Sequence, residues 1–553
     1  MAIELPFVID GSNSGGGLLS MLPKKLQKAC DEYPYLADYM RYVPIDEIGV
    51  PDYYPKLSRS LKDLEERNLI YAIQEGLFVH VYPDKGERDI YIPIEPHTTV
   101  SLDGVIPAVE VGLLDWTEEI GGAETDEEKR EKLLEAIAHI ASSNGGRGKV
   151  KMTSQELEAL KYLFVRDKVG FGLLAPLLLD PYLEDISCSG IGPIFLEHKI
   201  FNSLQAAIVF QAEEELDEFV IWLGEWIKKP VTVRNPIVDA TLPDGSRINI
   251  VYGTDVSRRG SNFTIRKFAG TPPSIMNLVE WGTMDYMMAA YLSFVLEEGM
   301  NLFVVGATAS GKTTTMNAIT TFILPDRKIV SIEDTPELQV PHKNWIREAT
   351  RGSGKDQKGS EVGMFDLLKA ALRQRPDRII VGEIRGEEGA IAFQAMQTGH
   401  GVMSTFHAGS VGRLIQRLSG QPINIPKTYV DNLEVVLIQA AVKAPGVMGL
   451  VRRVTSINEI VGYDPVDQAF SFIQAFRWNP ANDSFEFPGY MNSYLLEEKI
   501  SVKRGIPPFK RKAIYTELKR RAKILQRLHQ DRQVRDFYEV FNVLAEAHRQ
   551  GLL

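Results

Sequence analysis

The chain has 553 residues, 44% of them hydrophobic and 24% charged, and a formal net charge of −11 at pH 7. At ~100–200 residues per domain it is too long for one core and divides into about three. The acidity argues against a general nucleic-acid binder, which carries a positive footprint. Two cysteines, Cys30 and Cys188, cannot make a tetracysteine zinc site and suit a reducing compartment. No run approaches the ~18 apolar residues of a membrane span, and the first residues lack a basic region followed by an apolar core, so no secretory signal is expected.

Residues 1–145 read as an accessory α+β region. Gly11–Gly17 is polar and glycine-rich, and a helix is expected to start over Leu57–Leu64. Phe78–Tyr82 and Asp89–Ile94 alternate as strands do, with His80 as a packed or solvent-facing residue. Glu124–Glu131 leads into an amphipathic helix over Leu133–Ile140, and Ser142–Lys149 is the linker candidate. A second, smaller α+β domain follows over 151–270. It has a helix at Ser154–Arg166 and strands at Asp185–Cys188, Val231–Arg234, Arg247–Tyr252 and Asn262–Phe268. Period two sets Arg247 and Asn249 opposite Ile248 and Ile250, and Thr264 and Arg266 opposite Phe263 and Ile265. One face is then buried and the other presents arginines, either as a solvated edge or as a functional surface.

After Pro272-Pro273, residues 274–553 read as an α/β domain closed by C-terminal helices. A helix over Met284–Glu298 leads to the apolar strand Leu302–Val305. Then Gly306, Thr308, Ala309, Ser310, Gly311, Lys312 and Thr313 complete G-x-x-x-x-G-K-T, with a helix from Thr314. Strand, glycine loop and helix in that order are the context of a phosphate-binding loop. Its backbone N–H groups and the helix N-terminus face an anion, Lys312 reaches the β/γ-phosphates, and the Thr313 hydroxyl binds Mg²⁺. Further strands at Lys328–Ile332, Arg378–Gly382 and Val402–Thr405 alternate with helices at Phe365–Arg375 and Gly389–Thr398. That alternation implies a parallel sheet with its ligand at the carboxyl ends of the strands. Those ends carry Glu333, Asp334 and Glu337, then Glu383, then His400 and His407. Phosphoanhydride hydrolysis needs a metal, a carboxylate to orient water, and cations for the transition state. Gly382 stands where such strands commonly place Asp before Glu, so Glu383 is expected to reach Mg²⁺ through water. Glu337 is then the first choice for polarising the attacking water, although the two can exchange roles. Helical spacing returns over Ile514–Leu528 and Val534–Leu544. Lys503–Arg535 is rich in Lys and Arg, as a solvated helix face or as a binding patch.

The boxes GATASGKT, EDTPE, RIIVGEIRG and TGHGVMSTFHA together resemble the secretion ATPases that drive type II secretion, type IV pili, archaella and type IV secretion. DPYLEDISCSG, and LPDGSRINIVYG running into FTIRKF, resemble the N-terminal domain of that family. The resemblance spans about Lys151–Val454, and the flanking segments resemble its archaeal branch. It implies a P-loop RecA-like domain after a PAS-like domain, ATP and Mg²⁺ as ligands, and a homo-hexamer working with a polytopic membrane platform protein from the cytoplasmic face. It also implies that Arg247 and Arg266 reach the γ-phosphate and that His400 and His407 sense it rather than merely hydrogen-bond within the loop. The tetracysteine insert of bacterial type II members is missing, so no zinc is expected. Two other classes compete with a mechanochemical ATPase. A nucleic-acid translocase or helicase is disfavoured by the charge and by the lack of a basic aromatic groove, and a nucleotide-gated scaffold by the acidic boxes and arginines.

Overall fold

The computed structural model describes residues 2–7, 22–58, 61–62, 64, 66–84, 88–100, 102–142, 152–268, 270–351, 362–447 and 449–552. The chain forms two compact units, Met1–Ala269 and Gly270–Leu553. The Gly11–Gly17 stretch and, past Ser142, the linker candidate lie outside the described residues.

The first unit contains β1 (Ala2–Ile3), β2 (Asp52–Tyr54), β3 (Leu69–Gln74), β4 (Leu77–Tyr82), β5 (Ile90–Ile94) and β6 (Leu183–Cys188). β7 (Gly192–His198), β8 (Asn202–Phe210), β9 (Ile237–Thr241), β10 (Arg247–Val251) and β11 (Asn262–Arg266) complete it. All join one sheet in the order β2-β3-β4-β5-β8-β7-β6-β11-β10-β9, with β1 paired to β8. A division at residue 145 therefore runs through a single sheet. β5 pairs with β8 in parallel, Ile90 opposite Gln205 and Tyr91 opposite Ala206. Tyr71, Val79 and Tyr91 share one apolar core with Ile186, Ile208 and Phe263. The buried Asp180 accepts hydrogen bonds from Tyr71 Oη (2.5 Å) and Tyr91 Oη (2.9 Å), a second tie across the same division.

Period two holds at β10 and β11: Ile248, Ile250, Phe263 and Ile265 are buried, while Thr264 and Arg266 are exposed and Arg247 and Asn249 half-buried. Two local expectations differ. Leu57, Leu61 and Leu64 have helical spacing but pack against the sheet's core from a segment in which, among the described residues, 61–62 form a 3₁₀ turn and no α-helix is present. Val231–Arg234 forms no strand; Pro230 and Pro236 bracket a tight turn closed by a bridge between Thr232 and Asn235. His80 is fully buried between Tyr39 Oη and the Asn68 side chain, both at 2.9 Å.

The second unit is a RecA-like α/β domain. Its strands are β12 (Leu302–Gly306), β13 (Ile329–Glu333), β14 (Trp345–Ala349), β15 (Arg378–Glu383), β16 (Gly401–Phe406), β17 (Val435–Val442), β18 (Val451–Asp464), β19 (Ala469–Asn479) and β20 (Ser484–Glu486). Their order is β14-β13-β15-β16-β12-β17-β18-β19-β20. The pairs from β14 to β17 are parallel and those from β17 to β20 antiparallel. In β12, Leu302 and Val304 enter the core under the helices Tyr286–Glu297 and Ile514–Gln530, whereas Phe303 and Val305 enter the one under Met364–Arg373 and Glu388–Gln397. Burial on both faces is why these strands read as unbroken apolar runs. The antiparallel extension β17–β20 carries no element in the sequence reading. Bulges at Ile438/Gln439, Ile457/Asn458 and Ile460/Gly462 break the alternation that identifies a strand.

The amino ends of the central strands are tied together by polar side chains. Asn301, one residue before β12, accepts from Val402 N on β16 (2.8 Å) and donates to Asn432 O ahead of β17 (2.8 Å). The buried Arg378 at the start of β15 donates to Leu296 O (2.8 Å) and Met300 O (2.6 Å), capping carbonyls at the end of the Tyr286–Glu297 helix. Burial pushes its guanidinium down to about 10. Replacing Asn301 by Ala strands a buried N–H and a carbonyl between three strands. The expected loss is about 2–4 kcal/mol of stability; an unchanged unfolding midpoint would show that Asn301 does not hold the strands in place.

Candidate nucleotide site at the strand carboxyl ends

β13, β15, β16 and β12 are neighbours in the sheet, so their carboxyl ends form one row. Out of β12 comes the glycine loop. Gly306 has to be glycine because a Cβ there would lie 2.3 Å from Gln439 O on β17, and Gly311 sits at φ +92°, a left-handed conformation that caps the helix Lys312–Thr320. Ala309 also has positive φ (+60°), so the loop turns its backbone tightly between residues 307 and 311. Ala307, Thr308 and Ala309 are exposed, Ser310 is buried with its hydroxyl unpartnered, and Thr313 and Thr314 are half-buried on the first helical turn.

Lys312 is 8% exposed and donates from Nζ to Ala307 O (2.9 Å). Its Nζ also stands 3.5 Å from His407 Nε2, just past the end of β16. Burial pushes the lysine pKa down and Glu383 pulls it back up. Glu383, the last residue of β15, meets His407 Nε2 at 3.1 Å through Oε1 and Arg385 Nη2 at 2.6 Å through Oε2. His407 is likewise shifted down, first by burial and then by Lys312. In the neutral ring this favours, Nε2–H points to Glu383, and Lys312 is a charge neighbour rather than a donor to the ring. Arg385 also faces Asp334 at 3.8 Å.

Lys312, Glu383 and His407 thus come together from three adjacent strand ends. Glu337 lies one strand further along; its backbone N–H donates to Glu333 Oε1 (2.8 Å), and its carbonyl accepts from Asn317 on the helix after the glycine loop (3.3 Å). His400 stands at the opposite end of β16 from His407, next to Thr398 Oγ1 (3.1 Å). Arg247 and Arg266 belong to the first unit, directly opposite each other on β10 and β11, with Arg266 Nε 3.1 Å from Asp185 Oδ1.

Four contributors escape the sequence reading. Arg385 lies inside the RIIVGEIRG box, but nothing in the spacing shows that it turns back onto Glu383. Arg452 Nε donates to Ala309 O (3.1 Å), and Gln439 Oε1 accepts from Thr315 Oγ1 (2.7 Å); both come from the antiparallel strands. Arg417 donates to His407 O and lies over the Phe406 ring. Glu333, read in the sequence only as one acid of three, is buried. Oε1 accepts from Glu337 N and Leu338 N (2.8 and 2.9 Å), Oε2 has no hydrogen-bond partner, and burial raises its pKa to about 7.

The glycine loop, its unpartnered Ser310 hydroxyl and a lysine resting on the loop's own carbonyl fit a polyphosphate. Among the described residues no cluster of three or more His, Cys, Asp or Glu side chains is suited to a metal.

The family profile described as "Type II/IV secretion system protein" matches residues 167–468, more than half of the chain. An uncharacterized protein of Methanocaldococcus jannaschii is 42% identical over 97% of this chain and 98% of its own length. The type IV secretion system protein VirB11 of Bartonella henselae is 31% identical over 34% of this chain and 62% of its own length. Among solved structures, the pilus retraction motor PilT with bound ADP is 20% identical over 67% of this chain and 91% of its own, at a TM-score of 0.37. With the profile covering most of the second unit and its strand-end cluster, the chain belongs to the type II/IV secretion system protein family, the superfamily of secretion ATPases.

Proposed function

We propose that this chain hydrolyses ATP with Mg²⁺ and passes the resulting movement to a membrane-embedded type II secretion, type IV pilus or archaellum machine. The observation that carries the reading is the convergence of Lys312, Glu383 and His407 on the glycine loop. The loop amides and the helix N-terminus bind phosphate, and Lys312 exchanges the Ala307 carbonyl for phosphate oxygens. Mg²⁺, held by Thr313 and through water by Glu383, would neutralise charge on the phosphates. Glu337 and Glu383 divide the work of orienting water and supporting the metal, and His407 reports on the γ-phosphate. Arg247 and Arg266 supply cationic charge to the transition state, a contribution worth ~10³–10⁵ in rate for an arginine finger. Family resemblance and their cross-strand pairing support this role. The same resemblance supports a homo-hexamer, a polytopic membrane platform protein as partner, and a position at the cytoplasmic face of the membrane. Among the described residues no helix is long and apolar enough to cross a membrane, and the membrane-spanning part of the machine is assigned to that partner.

Three measurements test the scheme. Lys312→Ala is expected to lower steady-state phosphate release by at least ~10² with unchanged circular dichroism; near-normal turnover would defeat the assignment. Arg266→Ala is expected to keep nucleotide affinity and lose turnover by ~10³ or more, and an unchanged kcat would return Arg266 to a structural role beside Asp185. Glu333 supplies a pH signature. Its folded pKa of about 7 lies above the ordinary 4.5, so its contribution to stability is complete below pH 4.5 and lost as pH rises through 7. The loss is on the order of 3 kcal/mol at 1.36 kcal/mol per unit. Glu333→Gln should therefore unfold at a higher temperature than wild type at pH 8 and lose that advantage at pH 5. Parallel pH profiles would mean that Glu333 is not held as the acid.

A further inference from the structure

We propose that residues 499–512 form a membrane-surface contact, with the Phe509 ring entering the headgroup layer and the surrounding lysines engaging anionic lipid phosphates. Residues 499–535 hold thirteen Lys and Arg against two acids, Glu517 and Asp531, in a chain whose net charge is −11. No acid lies between Lys499 and Lys512. Some of these cations are spent on the protein itself. Arg504 pairs with Glu297 and Glu298, Arg511 with Glu498, and Lys503 donates to the Glu298 carbonyl. Lys510 and Lys512 are exposed and meet no carboxylate among the described residues. Between them and Pro507-Pro508, at the start of the short 3₁₀ turn Pro508–Ala513, Phe509 is 83% exposed. The Lys510 ammonium lies 5.8 Å from its ring, and Val502, 52% exposed, adds a second apolar side chain.

An aromatic ring left in water and ringed by cations is the chemistry of the membrane interface, where the ring enters the acyl boundary and lysines stay among phosphates. A nucleic-acid surface of this charge would offer several rings in series for base stacking, whereas this turn has one. The sign of the patch is opposite to that of the chain as a whole, which fits the negative potential of an anionic leaflet. The inference is independent of ATP hydrolysis, because none of these residues belongs to the strand-end cluster.

The test is co-sedimentation of the full chain with vesicles of phosphatidylcholine alone or mixed with phosphatidylglycerol. Wild type is expected to pellet with the anionic vesicles only, and less so as salt rises. Lys510→Glu/Lys512→Glu should weaken binding at least ~25-fold, about fivefold for each lost lysine, and Phe509→Ser about tenfold. Lys24→Glu/Lys25→Glu, the same charge change on the exposed start of the first unit's Lys24–Glu32 helix, should bind as wild type does. ATPase activity, where present, should be untouched by all three. Equal binding by wild type and the Lys510/Lys512 variant, or an equal loss in the Lys24/Lys25 control, would overturn the proposal. So would failure of wild type to bind protein-free anionic vesicles while binding protein-containing membranes, which would give the patch to a protein. Preferential retention on duplex DNA, lost in the Lys510/Lys512 variant, would overturn it in favour of nucleic acid.

Discussion

A lysine that is nearly buried and must keep its charge governs the second unit. Lys312 is 8% exposed, and burial favours its neutral form. A neutral amine would make a poor phosphate ligand. Glu383 offsets part of that shift, and it does so without a direct contact that would neutralise the site, since His407 stands between the two. Glu383 is itself held by Arg385. Following the contacts outward, Arg385 faces Glu383 and Asp334, while Arg452 donates to the Ala309 carbonyl of the glycine loop and Arg417 to the His407 carbonyl. Three arginines thus surround the loop in a chain that is strongly negative overall. Charges placed this close, not the net charge, set the field that a polyanion meets.

The position of this cluster follows from the sheet. Parallel strands buried on both faces have no face left for polar chemistry, so reactive side chains gather at their carboxyl ends. Alignment of those ends depends on the other end of the sheet, where Asn301 and Arg378 use backbone groups of neighbouring elements as anchors. The fold thus spends buried polar interactions on one edge to bring Lys312, His407, Glu383 and Glu333 into one row along the opposite edge.

The sequence is informative wherever a signal is local. The glycine loop announces itself by spacing, the parallel strands by apolar runs bounded by Gly, Pro and Asp, and Glu383 and His407 by being polar at the ends of those runs. The closing helices are legible from their 3.6-residue spacing, since Ile514, Leu518, Ala522, Leu525 and Leu528 are all buried. What escapes is assembled at a distance. Arg452 reaches the glycine loop from far along the chain, on a strand whose bulges erase its period. The unity of the first sheet is equally hidden. A glycine- and serine-rich stretch near residue 145 looks like a boundary, while the pairing of Tyr91 with Ala206 and the meeting of Tyr71 and Tyr91 at Asp180 leave no local mark.

Gly382 joins local sequence to site chemistry. The sequence shows only that β15 ends Gly-Glu where Asp-Glu is common. In the structure, a Cβ at 382 would sit 3.0 Å from Glu333 Cγ and 3.4 Å from its Cβ, so the missing side chain makes room for Glu333. Glu333 fills that space as a buried carboxyl with a raised pKa, whereas Glu383 next door is ion-paired to Arg385 and exposed enough to meet a ligand. Two carboxyls on neighbouring strand ends thereby sit in different settings, Glu333 buried with its pKa raised by that burial and Glu383 paired to the Arg385 guanidinium. Burial and pairing, not residue type, set the two apart. A second ionised carboxylate packed against the first would instead oppose the phosphate charge that the glycine loop is built to receive.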